Sequence, residues 1–216
     1  MGQKINPIGA RVGTFLPWKS RWFASDESLK SNLIEDIKIR RALIERLKLA
    51  GINDVEIERL PKSLVITLTV ARPGVVIGRG GTGIEELKKF ILKLLGELRK
   101  KSIKDFKIDL RVNEVKNPDL SAYLVAIRIA SEMERRIPHR RVVTKTIERV
   151  MASGALGVKV VLAGRIEGAE ISRVEKYREG AVPTQTLRET IDYAQVPALL
   201  KRGYVGVKVW IHKKQE

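Results

Sequence analysis

A glycine-rich segment from Val75 to Leu87 is the part of the chain whose residue types and spacing most directly indicate chemistry. It reads VVIGRGGTGIEEL and satisfies two motifs at once. Counted from Gly78, the letters match G-x-G-x-x-G, which holds the pyrophosphate of a dinucleotide at a helix N-terminus. Counted from Ile77, they match I-G-x-x-G-x-x-I, a loop that clamps the backbone of single-stranded RNA.

The elements predicted around this segment favour the RNA motif. Pro73-Gly74 leaves only three residues before Gly78, which is too short for the buried strand of a dinucleotide site and fits one turn of helix. The acidic residue expected about twenty positions later would be Glu97, inside the following helix, or Glu114, after the next strand. The chain also lacks the repeated strand–helix alternation of a doubly wound sheet.

Hydrophobic periodicity predicts the element order helix, strand, strand, short helix, glycine loop, helix, strand, which is that of a type II KH domain. The first helix is predicted at 28–50 and the long helix from Thr82 onward. The three strands are predicted at 54–60, 63–71 and 105–112. Thr82 and Glu85 predict a capping box at the start of the long helix.

The glycine loop is the first candidate binding site. Glycines permit tight turns and a close approach of the backbone to phosphate, and amide groups at a helix start face an anion. The candidate RNA contacts are Gly78, Arg79, Gly80 and Gly81. An ordinary glycine turn without a ligand is the alternative interpretation of these four residues.

A second candidate site is the basic run RRIPHRRVVTKTIERV at residues 135–150. Pro138 divides it, and the part from about His139 to Ser153 predicts a helix. On that helix Arg141, Lys145 and Arg149 recur every four residues and form one ridge. We interpret this cluster as a contact for nucleic-acid backbone, against the alternative of a solvated face that Glu148 partly offsets. The candidate residues are Arg135, Arg136, Arg140, Arg141, Lys145 and Arg149.

Composition points to a polyanionic partner and away from catalysis. The 216 residues carry 42 Lys and Arg against 25 Asp and Glu, a net charge of +17, which favours binding to a polyanion. There is no cysteine, and His139 and His212 lack metal-ligand spacing. No apolar run approaches the roughly 20 residues of a membrane helix. We expect a cytosolic protein that is not an enzyme, with no cofactor, no metal, no small-molecule substrate and no membrane association.

The expected organisation is α+β with two units of similar size. The predicted boundaries are a basic N-terminal arm at 1–16, a type II KH domain at 17–112, a linker at 113–118, and a C-terminal domain at 119–216. The last is predicted to be a two-layer α/β domain with helices on a mostly antiparallel sheet. Trp18, Trp22 and Phe23 lie close together after the arm; they could stack on bases or pin the arm to its own domain, and we favour the second.

Five separated blocks of the sequence resemble the family of bacterial small-subunit ribosomal protein three, over essentially its whole length. They are MGQKINPIGARVG, WKSRWFA, VVIGRGGTGIEEL, GRIEGAEISRVEKYREGAVPTQTLRETIDYA and GYVGVKVWIH. The resemblance implies a protein of the small-subunit head that binds small-subunit rRNA, and mRNA near the entrance of its channel. It implies small-subunit ribosomal proteins ten and fourteen as partners. A free KH-type RNA-binding regulator and a nucleotide-dependent enzyme are the rival classes.

The resemblance also assigns roles to the second candidate site. The family's basic residues at the channel entrance, which help to open mRNA structure, correspond to Arg140 and Arg141. A third basic residue of that motif falls at Thr144, with Lys145 one position later. On a helix this offset turns the side chain by about 100°. Lys176 also departs from the family, which leads us to expect an aromatic residue there.

Overall fold

A computed structural model of the chain describes residues 4–60, 63–99 and 107–214. The first residues of the predicted arm, 1–3, and the first two of the predicted strand, Asp105 and Phe106, lie outside the described residues. The chain divides into two compact units. One runs from Trp18 to Lys116, and the other combines the segment up to Pro17 with the chain from Asn117 onward.

The first unit contains a four-stranded sheet with helices packed against it. Its elements are β1 (Ser20–Arg21), α1 (Asp26–Arg46), β2 (Ile52–Arg59), β3 (Ser63–Val70), α2 (Pro73–Ile77), α3 (Thr82–Arg99) and β4 (Lys107–Glu114). The strands lie in the order β1-β2-β3-β4; β2 and β3 are antiparallel, and the two outer pairs are parallel. This element order is the predicted one, with β1 added at the edge.

Apolar residues of β2 and β3 form the centre of the first core. Alternate residues of β3 are fully buried, as alternation on a half-buried strand requires, and they face buried residues of α1 and α3. The core includes Ile39, Leu43, Ile57, Leu64, Ile66, Leu68, Ile91 and Leu95. The apolar pattern of α1 does not lie on one face, since Leu33, Ile37 and Ile44 are exposed while Leu43 and Leu47 are buried.

A buried cluster of ionised side chains joins α1 to β2. The Arg59 guanidinium donates from Nη1 to Glu35 Oε2 at 2.8 Å and from Nε to Asp36 Oδ1 at 2.7 Å. These three side chains are 7%, 5% and 4% exposed. Asp36 also accepts from Trp22 Nε1 at 2.8 Å and from the Ser20 hydroxyl at 3.2 Å. The cluster thereby attaches the segment around β1 to α1.

This arrangement divides the aromatic cluster that follows the arm. Trp22 is half-buried and is held by Asp36 within the first unit. Trp18 and Phe23 are exposed, at 66% and 99%. The segment up to Pro17 belongs to the other unit, so Trp22 anchors β1 and α1.

The second unit has two layers, a sheet and a pair of helices on one face. Its elements are α4 (Ala122–Glu134), α5 (His139–Ala152), β5 (Gly157–Gly164), β6 (Arg173–Gly180), β7 (Ile191–Leu200) and β8 (Gly203–His212). The strand order is β6-β5-β8-β7, and every pair is antiparallel. The predicted α+β class with helices on an antiparallel sheet is confirmed. Strand β7 overlaps a segment, 184–193, whose sequence pattern is ambiguous.

In the sequence, Asn117-Pro118 predicts the start of the first helix of this unit, with Asn as cap and Pro at the first helical position; the structure differs from this prediction. Asn117 and Pro118 begin a short 3-10 turn, and α4 starts later, after Ser121, whose hydroxyl accepts from Leu124 N. The N-terminal segment is irregular, as predicted, but it includes the buried Arg11, which is 1% exposed. Arg11 donates to the backbone oxygens of Pro7, Thr186 and Glu189 at 2.9, 2.8 and 3.0 Å, which ties this segment to the loop before β7.

Replacing Arg59 with methionine is expected to destabilise the first unit by about 3–5 kcal/mol, because it leaves two buried carboxylates without their cation. Urea unfolding of the first unit, followed by the fluorescence of Trp18 and Trp22 in a Trp210→Phe background, measures the loss.

The matched control is Arg21→Met. Arg21 forms an exposed pair with Glu58 at 3.4 Å, so this change is expected to alter stability by less than about 1 kcal/mol. Equal unfolding midpoints for the two variants would contradict a structural role for the buried cluster.

Candidate nucleic-acid interface

The glycine loop joins the C-terminus of α2 to the N-terminus of α3. Gly78, Gly80 and Gly81 have φ values of 70°, 61° and 82°, which is the left-handed region that glycine enters without strain. The three glycines are exposed or half-exposed, and Arg79 is exposed. Nothing lies within 4 Å of the position that a side chain at Gly80 or Gly81 would take. The loop therefore presents open backbone and one cation to the solvent.

The start of α3 differs from the predicted capping box. Thr82 has helical backbone angles, φ −58° and ψ −34°, whereas an N-cap residue is non-helical. Its hydroxyl donates to the Arg79 carbonyl at 3.0 Å. The capping-box prediction is therefore wrong, because Thr82 lies within the first turn and its side chain bonds back to the loop.

Gly83 is a structural determinant of the loop that sequence analysis did not single out. A Cβ atom at Gly83 would lie 2.5 Å from the Val76 carbonyl oxygen and 3.0 Å from that of Ile77. Only glycine permits this approach of α3 to α2 without a shift of the backbone. The third glycine of the apparent dinucleotide motif thus serves helix packing, and the crossing that it permits sets the path of the loop.

Aliphatic side chains adjoin the loop on α2. Val76 is buried in the core, whereas Val75 and Ile77 are 51% and 38% exposed. A loop with open backbone beside an aliphatic surface is the arrangement by which KH domains clamp single-stranded nucleic acid. A helix, α2, and not a strand, precedes Gly78, so the structure also lacks the strand that a dinucleotide site requires.

Helix α5 presents the second candidate site. Its inner face packs on the second sheet through Val142, Val143, Ile147 and Val150. Its opposite face is polar, and a shallow depression there is lined by Arg140, Arg141, Thr144, Lys145 and Glu148. Arg149 is exposed one turn farther along. Among the residues that the structure describes, no carboxylate lies within 4.0 Å of the cationic groups of Arg141, Lys145 or Arg149.

His139 fixes the N-terminus of α5 from inside the second unit. It is 3% exposed, and its Nδ1 and Nε2 lie 2.7 Å from carboxylate oxygens of Glu167 and Glu175. His139 therefore connects the first turn of the basic helix to two carboxylates of the second unit.

Glu175 links His139 to two further groups. The Tyr177 hydroxyl donates to Glu175 at 2.6 Å, and Arg173 Nε lies 2.8 Å from its other oxygen. The hydrogen bond from Tyr177, followed by the interactions with His139 and Arg173, holds the pKa of Glu175 below its ordinary value against the opposing effect of burial. Burial, followed by contact with Glu175, raises the pKa of Tyr177, and Arg140 opposes that shift. Arg140 therefore lies near the Tyr177 hydroxyl, at the edge of this cluster.

The remaining predicted basic residues lie in the turn between α4 and α5. Arg135 is the C-cap of α4, and Arg136 has a positive φ of 63°. Both are exposed, and Arg136 lines a cavity with Lys201 and Arg202. The structure thus brings Arg140, Arg141 and Lys145 together around one depression, with Arg149 beyond it. The turn between α4 and α5 holds Arg135 and Arg136, and the glycine loop belongs to the first unit.

Comparison with known proteins identifies both units. A KH domain family matches residues 38–120, and the family "Ribosomal protein S3, C-terminal domain" matches residues 129–211. The small ribosomal subunit protein uS3 of Clostridium novyi is 46% identical over 213 residues, covering 99% of this chain and 93% of its own. That of Pseudoalteromonas translucida is 44% identical, covering 99% and 88%. The chain belongs to the small ribosomal subunit protein uS3 family.

Family membership confirms the resemblance found in the sequence blocks and decides among the rival classes. A member of this family is a ribosomal, RNA-binding protein and not an enzyme. The dinucleotide interpretation of the glycine loop is therefore wrong. Among the described residues no cluster of three or more carboxylate or histidine side chains could hold a metal ion. In that part of the chain no helix is long and apolar enough to span a membrane.

Replacing Gly83 with alanine is expected to destabilise the first unit by about 1–3 kcal/mol, because the added methyl group forces α3 away from α2. We also expect faster amide hydrogen exchange in the glycine loop, which this helix crossing positions.

Gly96→Ala in the same helix is the control. Nothing lies within 4 Å of a Cβ atom there, so alanine is expected to stabilise the helix by about 0.8–1 kcal/mol. If both substitutions changed stability in the same direction, the close approach at Gly83 would not be limiting.

Proposed function

We propose that this chain binds small-subunit rRNA and holds and helps to unwind mRNA at the entrance of the mRNA channel. As a member of its family it is a component of the small ribosomal subunit in the cytoplasm. The mRNA contacts that we assign are Arg140, Arg141 and Lys145, with Arg149, Arg135 and Arg136 as flanking phosphate contacts.

The observation that carries the mRNA proposal is the unpaired cationic face of α5. Its side chains are exposed around one depression that Glu148 also lines, and no described carboxylate lies within 4.0 Å of the cationic groups of Arg141 or Lys145. Four residues of helix rise about 6 Å, so the ridge repeats a positive charge at that interval. Cations in a row contact backbone phosphates without reading sequence, as a surface that must accept any mRNA requires.

The position of Lys145 supports its use in place of a basic residue at Thr144. Both residues are exposed, and both line the same depression with Arg140 and Arg141. The long lysine side chain can turn its ammonium group across the width of such a depression. The offset of one residue therefore does not remove the third positive charge from this surface.

Unwinding follows from holding one strand by its phosphates. A base-paired mRNA stem that reaches the entrance opens transiently at its end, and the strand captured by Arg140 and Arg141 is then less able to pair again. The buried contacts of His139 with Glu167 and Glu175 keep the start of α5 in place under this load. A helix held in this way moves less than a mobile one when the stem pulls on the bound strand.

The glycine loop is proposed as a second RNA contact, to rRNA or mRNA. Gly78, Gly80 and Gly81 leave the backbone open, and Arg79 adds a charge. Small-subunit proteins ten and fourteen are proposed as protein partners because the sequence blocks correspond to the family that contacts them.

Reversing both entrance charges, Arg140→Glu with Arg141→Glu, is expected to slow translation through a stable mRNA hairpin while unstructured mRNA is translated normally. Loss of two phosphate contacts is also expected to lower the salt dependence of mRNA binding by about 1.4 in the log–log slope. Ribosomes reconstituted with the variant provide both measurements.

Lys30→Glu with Lys38→Glu, at exposed positions of α1, makes the same change in net charge in the other unit. This control is expected to leave hairpin translation unchanged. Normal translation through the hairpin with the Arg140 and Arg141 variant would refute the proposed unwinding role.

Gly80→Asp is expected to weaken RNA binding about two- to five-fold, because it places a carboxylate beside the phosphates. Asp and Asn tolerate the left-handed backbone of Gly80 better than most residues, and the space around this position is open. Gly80→Asn, with the same shape and no charge, is the control. RNA binding by the KH unit is measured by titrating RNA into the full chain at moderate salt. Equal binding by the two variants would remove the loop from the interface.

A further inference from the structure

The face of the second sheet that points away from α4 and α5 carries aromatic and basic residues in adjacent rows. Pairing of the four strands places Arg178, Lys159, Trp210 and Tyr193 side by side in one row. The residues between them along each strand, such as Val160 and Val209, are fully buried in the core beneath the helices. Because side chains alternate along a strand, this row lies on the open face.

The next row on the same face adds two further cations. Lys176 pairs with Val161, which pairs with Lys208 in the register of the sheet. Lys176 is exposed, and Lys208 is half-exposed. No Asp or Glu occupies an outward-facing position of these two rows. These two rows therefore carry four cations and no carboxylate, while Glu189 contacts His212 one row farther along.

Three side chains of the first row, those of Tyr193, Trp210 and Lys159, lie close together. The Tyr193 and Trp210 rings lie 5.0 Å apart between centroids at an angle of 39°. Lys159 Nζ lies 5.2 Å from the centroid of the Trp210 ring. Burial, and then the nearby charges of Lys4, Lys176 and Arg178, lower the pKa of Lys159. The cations on this face therefore repel each other, and a polyanion would relieve that repulsion.

The aromatic rings favour single-stranded RNA over an acidic protein as the ligand of this face. An acidic protein would satisfy the charges, but a row of half-exposed Trp and Tyr beside them suits unstacked bases, which every nucleotide of a single strand can offer. Four-stranded sheets with exposed aromatics bind single-stranded RNA in this way in other domains. A fully paired helix would present only phosphates to the rings.

We propose that the open face of the second sheet is a binding site for single-stranded RNA. Bases stack on Trp210 and Tyr193, and Lys159, Lys176, Arg178 and Lys208 contact the phosphates. This site lies on the opposite side of the sheet from α5 and is independent of the mRNA contacts assigned to that helix. The second unit thus binds RNA on both of its layers.

The test uses the full chain and an unstructured oligouridine of about twelve nucleotides, within the range that single-strand sites cover. Neutralising Lys159, Lys176 and Lys208 to glutamine is expected to reduce the log–log salt slope of binding by about 2, at roughly 0.7 for each phosphate contact. Lys30→Gln, Lys38→Gln and Lys48→Gln together make the same charge change at exposed positions of the first unit and are expected to have a smaller effect.

Trp210→Leu tests the stacking contribution. It is expected to weaken binding of the oligouridine about tenfold and to leave binding of an abasic strand of the same length unchanged. The Arg140→Glu and Arg141→Glu variant is expected to retain this difference between the two strands, which separates the sheet site from the α5 site. Circular dichroism and urea unfolding establish that each variant is folded. If the triple variant is not folded, Lys176→Gln with Arg178→Gln, on the edge strand, replaces it.

Three results would overturn the proposal. One is an equal effect of the sheet variant and the first-unit control on both affinity and salt slope. Another is an equal loss of abasic and oligouridine binding in Trp210→Leu. The third is normal oligouridine binding by the sheet variants together with failure to enter small subunits, which would show that the face docks a protein.

Discussion

The excess of positive charge, +17 over 216 residues, is the constraint on which the arrangement of this chain depends. Burial of a charge is strongly unfavourable unless the charge is paired and hydrogen-bonded, and the buried basic side chains Arg59, His139 and Arg11 have internal partners. Arg59 lies between two carboxylates, His139 between two others, and Arg11 among backbone oxygens. Among the described residues, no carboxylate lies within 4.0 Å of the cationic groups of Arg141, Lys145 and Arg149 on α5, or of the four cations on the open sheet face.

The buried partners also place the elements that carry the exposed charges. Glu167 and Glu175 hold His139, and His139 begins α5, so Arg140 and Arg141 follow directly from a fixed point. Gly83 has the same effect in the first unit, because it permits the crossing of α3 and α2 that sets the path of the glycine loop. At both surfaces, residues outside the proposed RNA contacts determine where the groups proposed to bind RNA lie.

Local pattern was sufficient to predict what depends on neighbours in sequence. The element order, the left-handed glycines and the ridge of α5 all follow from periodicity within one helix or one turn. Contacts between distant residues were not predictable, as with His139, whose partners lie 28 and 36 residues away. The sequence pattern does not predict strand β7, because Pro197 interrupts it; an edge strand tolerates proline. In α1, apolar residues lie on two sides of the helix. Their spacing predicts a helix but does not indicate which side is buried.

The two-layer architecture of the second unit would let one small domain bind RNA on both of the proposed surfaces. Helix α5 covers one side of the sheet, and a helix is about 10 Å across. The basic ridge and the open sheet face are therefore separated by more than the Debye length of about 8 Å at physiological salt. Their fields are largely screened from each other through the solvent, so a strand on one face does not displace a strand on the other. An all-helical layer of the same charge would instead concentrate its cations on one surface, where two RNA strands would compete.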